Sequence, residues 1–193
     1  MASRYFEQRL FGGHIECEVP KEFENVSEYR PVPDHQEVFA TDTNDQSIIF
    51  EIFDKADISD RESARYHFDE LAVMNKASSK EIITDEPIPD ESVPDLPSTA
   101  VCHMVAGTQM VSKYNESVDK AANCVLIYVA VIRLHEFHTD IVISMNHPMI
   151  ISPESSSSKA MEADTNTKVS LASFKHILET FKIADFRLFG NPY

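Results

Sequence analysis

The chain has 193 residues, enough for one domain with a sizeable core, and it contains no tryptophan. Its 17 lysines and arginines stand against 32 aspartates and glutamates, a net charge of −15. Such a chain repels nucleic acid and anionic lipid and is drawn to basic protein surfaces.

Cys17, Cys102 and Cys124 are widely separated and have no C-x-x-C spacing. An odd, scattered set predicts reduced core thiols in the cytosol or nucleus. The opening MASRYFEQRLFGG is charged throughout and lacks the apolar core of a signal peptide. The longest apolar run, Val125 to Ile132, is far short of the ~20 residues that span a bilayer. These features predict a soluble intracellular protein.

Gly12-Gly13 reads as a tight turn; neither G-x-G-x-x-G nor a P-loop follows it. An alternating strand comes next, with Ile15, Cys17 and Val19 inward and His14, Glu16 and Glu18 outward, ended by Pro20. Lys21 to Tyr29 reads as a turn or one to two helical turns, anchored by Phe23, Val26 and Tyr29.

The stretch Arg30 to Leu71 organises the rest. Pro31 and Pro33 fix their own φ and push Arg30 and Val32 towards extended backbone, which makes a stiff arm. Asp34 favours a turn, Glu37 to Thr41 reads as a strand, and Asn44-Asp45 turn the chain into a second strand over Ser47 to Phe53. There Ile48, Phe50 and Ile52 share one face, and Ser47, Ile49, Glu51 and Phe53 the other. Glu51 therefore lies between apolar neighbours. It is either paired with an arginine or lysine at the sheet's rim or reserved for a partner, because an unpaired buried charge is costly. Asp54 and Asp57 add acids where the strand ends.

Ser59 or Asp60 can cap a helix running to about Asn75. Ala64, His67, Phe68 and Leu71 fall on its inner face, and Tyr66 and Val73 are apolar residues on its outer face. Lys80 to Thr84 reads as a short strand. Residues 85–98, with four prolines and five acids, read as an exposed acidic loop. Thr99 to Ala106 and Gln109 to Lys113 are strand-like, with a bend or bulge at Gly107-Thr108. Residues 115–123 form a polar link. Cys124 to Leu134, CVLIYVAVIRL, is apolar on both alternating sets, the mark of a central strand covered on both faces. Asp140 to Asn146 returns as its antiparallel neighbour, closed by Pro148. Residues 152–168 read as a serine-rich mobile loop. Val169 to Lys182 forms the clearest helix, with Leu171, Phe174, Ile177, Leu178 and Phe181 on one stripe, and residues 183–189 dock back on the body.

The pattern predicts a single α+β domain over residues 1–193. Its core is a central, mainly antiparallel sheet of six to seven strands with a helix on each face. Little in it suggests an enzyme. His135-Glu136-Phe137-His138 has histidine spacing three, not the four of a zincin helix, and sits in a turn. No nucleophile–base pair can be assembled, so no catalytic residue, cofactor or metal ligand is assigned.

Leu10-Phe11-Gly12-Gly13, Arg30-Pro31-Val32-Pro33-Asp34 with Gln36-Glu37-Val38-Phe39, and Tyr66-His67-Phe68 together resemble the Ran guanine nucleotide release factors, the MOG-type nuclear import factors. The similarity extends more loosely to Val129–Leu134, Thr139–Ser144 and Leu188-Phe189-Gly190. The resemblance implies a PsbP-like α/β sandwich, binding to the small GTPase Ran, and release of its nucleotide. It also implies residence in nucleus and cytoplasm. In the family the GTPase-binding surface lies in the region matching Glu28 to Glu70, with acids at the positions of Glu51 and Asp54. Arg30, Asp34, Gln36 and Glu37 match the signature loop. A monomer with no nucleic-acid or membrane partner is expected. The alternative, from another class, is a small-molecule or peptide-binding α+β module whose sheet curls around a pocket.

Overall fold

The computed structural model describes residues 4–111, 123–150 and 167–190. Among these, the twelve-residue strand β8 (Asn123–Leu134) is the structural centre. Val125, Ile127, Val129 and Val131 point to one side and Leu126, Tyr128, Ala130 and Ile132 to the other, and all eight are buried. Each set nucleates its own apolar cluster. A strand that is apolar on both faces can be satisfied only inside a sheet covered twice, as the sequence predicts.

β8 is flanked antiparallel by β7 (Val101–Val111) and β9 (Thr139–Ile150). Beyond β7 lies β6 (Ser79–Pro87). Beyond β9 come β5 (Ser47–Asp54), β4 (Gln36–Ala40) and the two-residue β3 (Glu24–Asn25). The order of this seven-stranded sheet is β3-β4-β5-β9-β8-β7-β6, antiparallel at every pairing.

Helix α1 (Ser63–Met74), led in by a 3-10 turn at Asp60–Glu62, covers one face. Ala64 and Phe68 are fully buried against Val105, Ile127, Val129, Val131 and Val142. Helix α2 (Thr167–Glu179) covers the other. Phe174, Ile177 and Leu178 of α2, with Phe181 just beyond it, are buried; Phe174 stacks on Tyr128 at 5.5 Å and Phe181 on Phe50 at 6.4 Å. Burying each such side chain stabilises the fold by roughly 1.5–3 kcal/mol, so this stripe holds α2 on the sheet.

Several expectations need correction. The sheet is not alone. β1 (Tyr5–Leu10), β2 (Ile15–Pro20) and β10 (Lys182–Ile183) form a second, three-stranded sheet on the α2 side, and β1 was not anticipated. Lys21 to Tyr29 holds the expected turn and one 3-10 turn at Val26–Glu28, but also β3, which was not anticipated. Phe23 is an anchor, but Tyr29 is 76% exposed.

Gly107 and Thr108 do not bend the chain, and β7 runs unbroken against β8. The bulge lies in β6 instead, between Ile82 and Thr84. Asp85 to Pro87 are strand, not loop, pairing with Val105, Met104 and His103. Pro148 does not close β9; it pairs with Val125, next to a register shift at Cys124/Val125. The expected polar link at 115–123 lies outside the described residues except Asn123. The expected serine-rich loop likewise lies outside them up to residue 166. No helix among the described residues is long and apolar enough to cross a membrane.

Candidate binding surface on the β4–β5 hairpin

The hairpin is closed at its turn by Thr41 N–H donating to the Gln46 carbonyl at 3.0 Å, with Asp45 at φ 56°. That turn sets the register, and the register pairs Gln36 with Glu51, Val38 with Ile49 and Phe39 with Ile48. Phe39, Ile48 and Phe50 go to the core on the α2 side. Gln36, Glu51 and Phe53 go to the α1 side, and Phe53 stacks on His67 of α1 at 5.6 Å.

Glu51 is 5% exposed, and Gln36 Nε2 donates to its Oε1 at 2.5 Å. The arginine or lysine expected from sequence is not its partner; a neutral amide is. Burial pushes the Glu51 carboxyl above its ordinary value, against the opposing pull of the Gln36 hydrogen bond and of nearby His35 and His67. A carboxyl raised on folding binds its proton more readily in the folded state. The stability it adds is complete below the ordinary carboxylate value of 4.5 and is lost as pH rises through the folded value. Glu51→Gln removes that loss while an amide pair with Gln36 remains possible. Urea denaturation should therefore show the variant gaining on the parent steadily from near pH 4.5 upward; parallel pH profiles would refute this account.

Glu37 is also committed inside the molecule, accepting from Phe11 N–H at 2.8 Å and from Asn25 Nδ2 at 3.2 Å. It ties the hairpin to the Phe11–Gly13 turn. Gln36 N–H closes the turn after Pro33 by donating to the Pro33 carbonyl at 2.9 Å. Arg30, Asp34 and Asp54, by contrast, are exposed. The six residues named from sequence thus divide in two. Gln36, Glu37 and Glu51 shape the hairpin, and Arg30, Asp34 and Asp54 face solvent around it.

Asp54 sits where β5 ends, opposite Thr139, and the loop after it is fastened by a buried network that sequence reading missed. Lys55 N–H donates to the His138 carbonyl at 2.7 Å, and Ala56 N–H to Asp140 Oδ2 at 3.1 Å. Arg133 is fully buried and gives Nε and Nη2 to Asp140 at 2.8 and 3.0 Å. Its remaining donors reach the Ile58 carbonyl at 2.8 Å, the Ala56 carbonyl at 3.3 Å and Asp60 Oδ1 at 3.2 Å. His67 Nε2 lies 3.4 Å from Asp140 Oδ2, so the inner-face histidine of α1 is held by a carboxylate, not a ligand. Burial pushes Asp140 up, but the hydrogen bonds from His67, Arg133 and Ala56 outweigh it and hold the carboxyl below its ordinary value. The signal was available: an arginine inside an otherwise apolar strand, and an aspartate early on the strand returning beside it.

His135 of the tested histidine motif pairs with Asp60 at 3.1 Å, and His103 with Asp85 at 2.9 Å. Among the described residues no group of three or more histidines, cysteines and acids is placed to hold a metal. The cysteines are free thiols, and burial pushes Cys102 up to about 12. A hollow of about 380 Å³ lies on the α2 side, between Glu86–Ser92 and α2, with Ile88, Met104 and Leu178 among its lining.

Comparison with known proteins places this architecture. A family model described as "Ran-interacting Mog1 protein" matches residues 8–148. A Danio rerio relative named "Ran guanine nucleotide release factor" is 36% identical over 186 residues, covering 94% of this chain and 98% of the relative. The Schizosaccharomyces pombe "Nuclear import protein mog1" is 36% identical over 144 residues, covering 73% of this chain and 76% of the relative. The crystal structure of the Saccharomyces cerevisiae Ran-binding protein Mog1p is 27% identical and superposes with a TM-score of 0.71, covering 98% of this chain and all of that one. The hairpin, the twice-covered sheet and a match running nearly end to end agree: this chain belongs to the Mog1 family of Ran-interacting proteins.

Proposed function

We propose that the protein binds the small GTPase Ran, promotes release of its guanine nucleotide and thereby supports nuclear protein import. What carries the reading is family membership, with a match along nearly the whole chain to relatives named Ran guanine nucleotide release factor. A chain net charge of −15, with exposed Asp34 and Asp54 beside the hairpin, is consistent with a basic partner.

The action is regulatory and needs no covalent step. A protein that prefers nucleotide-free Ran must weaken nucleotide affinity by the same factor by which nucleotide weakens its own binding. Arg30, Asp34 and Asp54 meet the GTPase, while Gln36, Glu37 and Glu51 hold the hairpin that presents them. Such a protein works in both nucleus and cytoplasm. Mixing it with Ran loaded with labelled GTP should accelerate loss of label, and an unchanged off-rate ends the proposal.

The surface has its own test. Asp54 is exposed, so Asp54→Lys should fold with an unchanged melting temperature yet bind Ran about tenfold more weakly, roughly 1.4 kcal/mol. Glu51→Lys is unsuited to this purpose, because its lysine would be buried beside Gln36. Unaltered affinity of a folded Asp54→Lys protein would remove Asp54 from the interface.

A further inference from the structure

The hollow of about 380 Å³ on the α2 side has no part in the Ran-binding reading. Ile88, Met104 and Leu178 supply its apolar lining, and Glu86, Lys175 and Glu179 its charges. The apolar three are buried, whereas the charged three are exposed. Both walls are fixed in advance. The segment after β6 reads as loose from its prolines and acids, yet Ile88 N–H donates to the Cys102 carbonyl at 3.0 Å and Ser92 N–H to the Pro89 carbonyl at 2.9 Å. Val93 then anchors it in the core. Opposite, Phe174, Ile177 and Leu178 seat α2 on the sheet. Met104 is the register partner of Glu86, so the β6–β7 pair sets a carboxylate beside the apolar floor.

The charges are uncommitted. Among the described residues Glu86 and Lys175 form no ion pair, and Glu179 only approaches His176, at 4.0 Å. Two carboxylates against one ammonium make the rim acidic, so a fitting occupant brings a cation to the rim and an apolar group to the floor. Lys175 stands one helical turn before Glu179 and repels a second cation, which limits the ways the occupant can lie. Pockets for free small ligands run from about 300 to 1,000 Å³ and enclose most of the ligand. This one is at the low end and rimmed by exposed charges, which suits one or two side chains of a peptide crossing it. The hollow borders β6, at the opposite end of the sheet from β4 and β5, and on the opposite face from Gln36 and Glu51.

We infer that the hollow is a docking site for a peptide segment of a second protein partner, one that carries a lysine or arginine next to a large apolar residue. The site is separate from the Ran surface, so both can be filled at once. A second copy of a chain carrying −15 is the less favoured occupant.

Methyl NMR of the full chain decides it, with Ile88, Met104 and Leu178 as reporters. The probes are the blocked peptides Gly-Leu-Arg-Gly and Gly-Arg-Leu-Gly, with glutamate-for-arginine and serine-for-leucine controls. At least one probe should shift the three reporters saturably, with a Kd of roughly 1 mM or tighter, and both controls should bind more weakly. Glu86→Gln with Glu179→Gln should keep the parent's melting temperature and Ran affinity while weakening the peptide about fivefold or more. No saturable shift, equal binding of the glutamate control, or shifts at Ile48 instead would overturn the inference. So would hexylamine binding as tightly as the peptides, which would assign a small cation, or a concentration-dependent dimer in sedimentation that the double variant abolishes. Loss of Ran affinity in the folded double variant would merge the hollow with the Ran surface and refute a separate site.

Discussion

Arg133→Met is expected to lower stability by about 3–5 kcal/mol, the cost of removing one partner of a buried ion pair. Arg133 and Asp140 are both fully buried, and methionine fills much of the space without a single donor. Asp140 keeps Ala56 N–H and His67 but loses two charged hydrogen bonds, and the Ile58 and Ala56 carbonyls lose theirs. For a protein of this length that corresponds to a fall of roughly 10 °C in melting temperature. Urea denaturation at pH 7 reads the loss, and less than about 1 kcal/mol would mean the network contributes little. Changing Asp140→Leu as well should recover part of it, since a buried pair replaced by apolar groups is often tolerated. The parent's own pH profile follows from the same pair. A carboxyl held low on folding adds stability above its ordinary value and loses it as pH falls through the folded value, so acid should undo what the variant lacks at neutrality.

Gly107→Ala is the second large effect, at about 3 kcal/mol for forced overpacking. A Cβ on Gly107 would lie 2.4 Å from the Glu81 carbonyl oxygen and 2.7 Å from Phe68 Cζ. The ring could move; the backbone of β6 cannot without breaking its ladder with β7. The variant should lose β6 protection in amide hydrogen exchange before the sheet's centre, and its urea midpoint should fall. A stability within about 0.5 kcal/mol of the parent would show that the edge yields freely.

Gly107 also shows where sequence reading stopped. A glycine between strand-like segments reads as a bend, yet here it is small so that α1 can seat Phe68 against β7, and no local pattern reveals which helix arrives there. The acids and prolines of 85–98 concealed the end of β6 because an edge strand tolerates both, having a free side. β1 was hidden for a similar reason: YFEQRL is an outer strand of the small sheet with mostly solvated side chains. What depended on periodicity was legible, notably β8, the stripe of α2 and the β4–β5 hairpin. At the candidate surface, the family resemblance named Arg30, Asp34 and Asp54, which are exposed around the hairpin. It could not tell that Glu51 is buried against Gln36 or that Tyr29 points out, since both depend on cross-strand neighbours.

The order of the strands also bears on how the protein is made. The hairpin that carries the candidate surface finds its permanent neighbour only in β9, roughly 90 residues later, and β2 waits for β10 still further along. At cellular synthesis speeds that is an interval of about 5–20 s in which a nascent N-terminal third displays Ile48 and Phe50 without their cover. Closure is then a late, long-range event, and chaperone contact on the ribosome is most valuable during that interval.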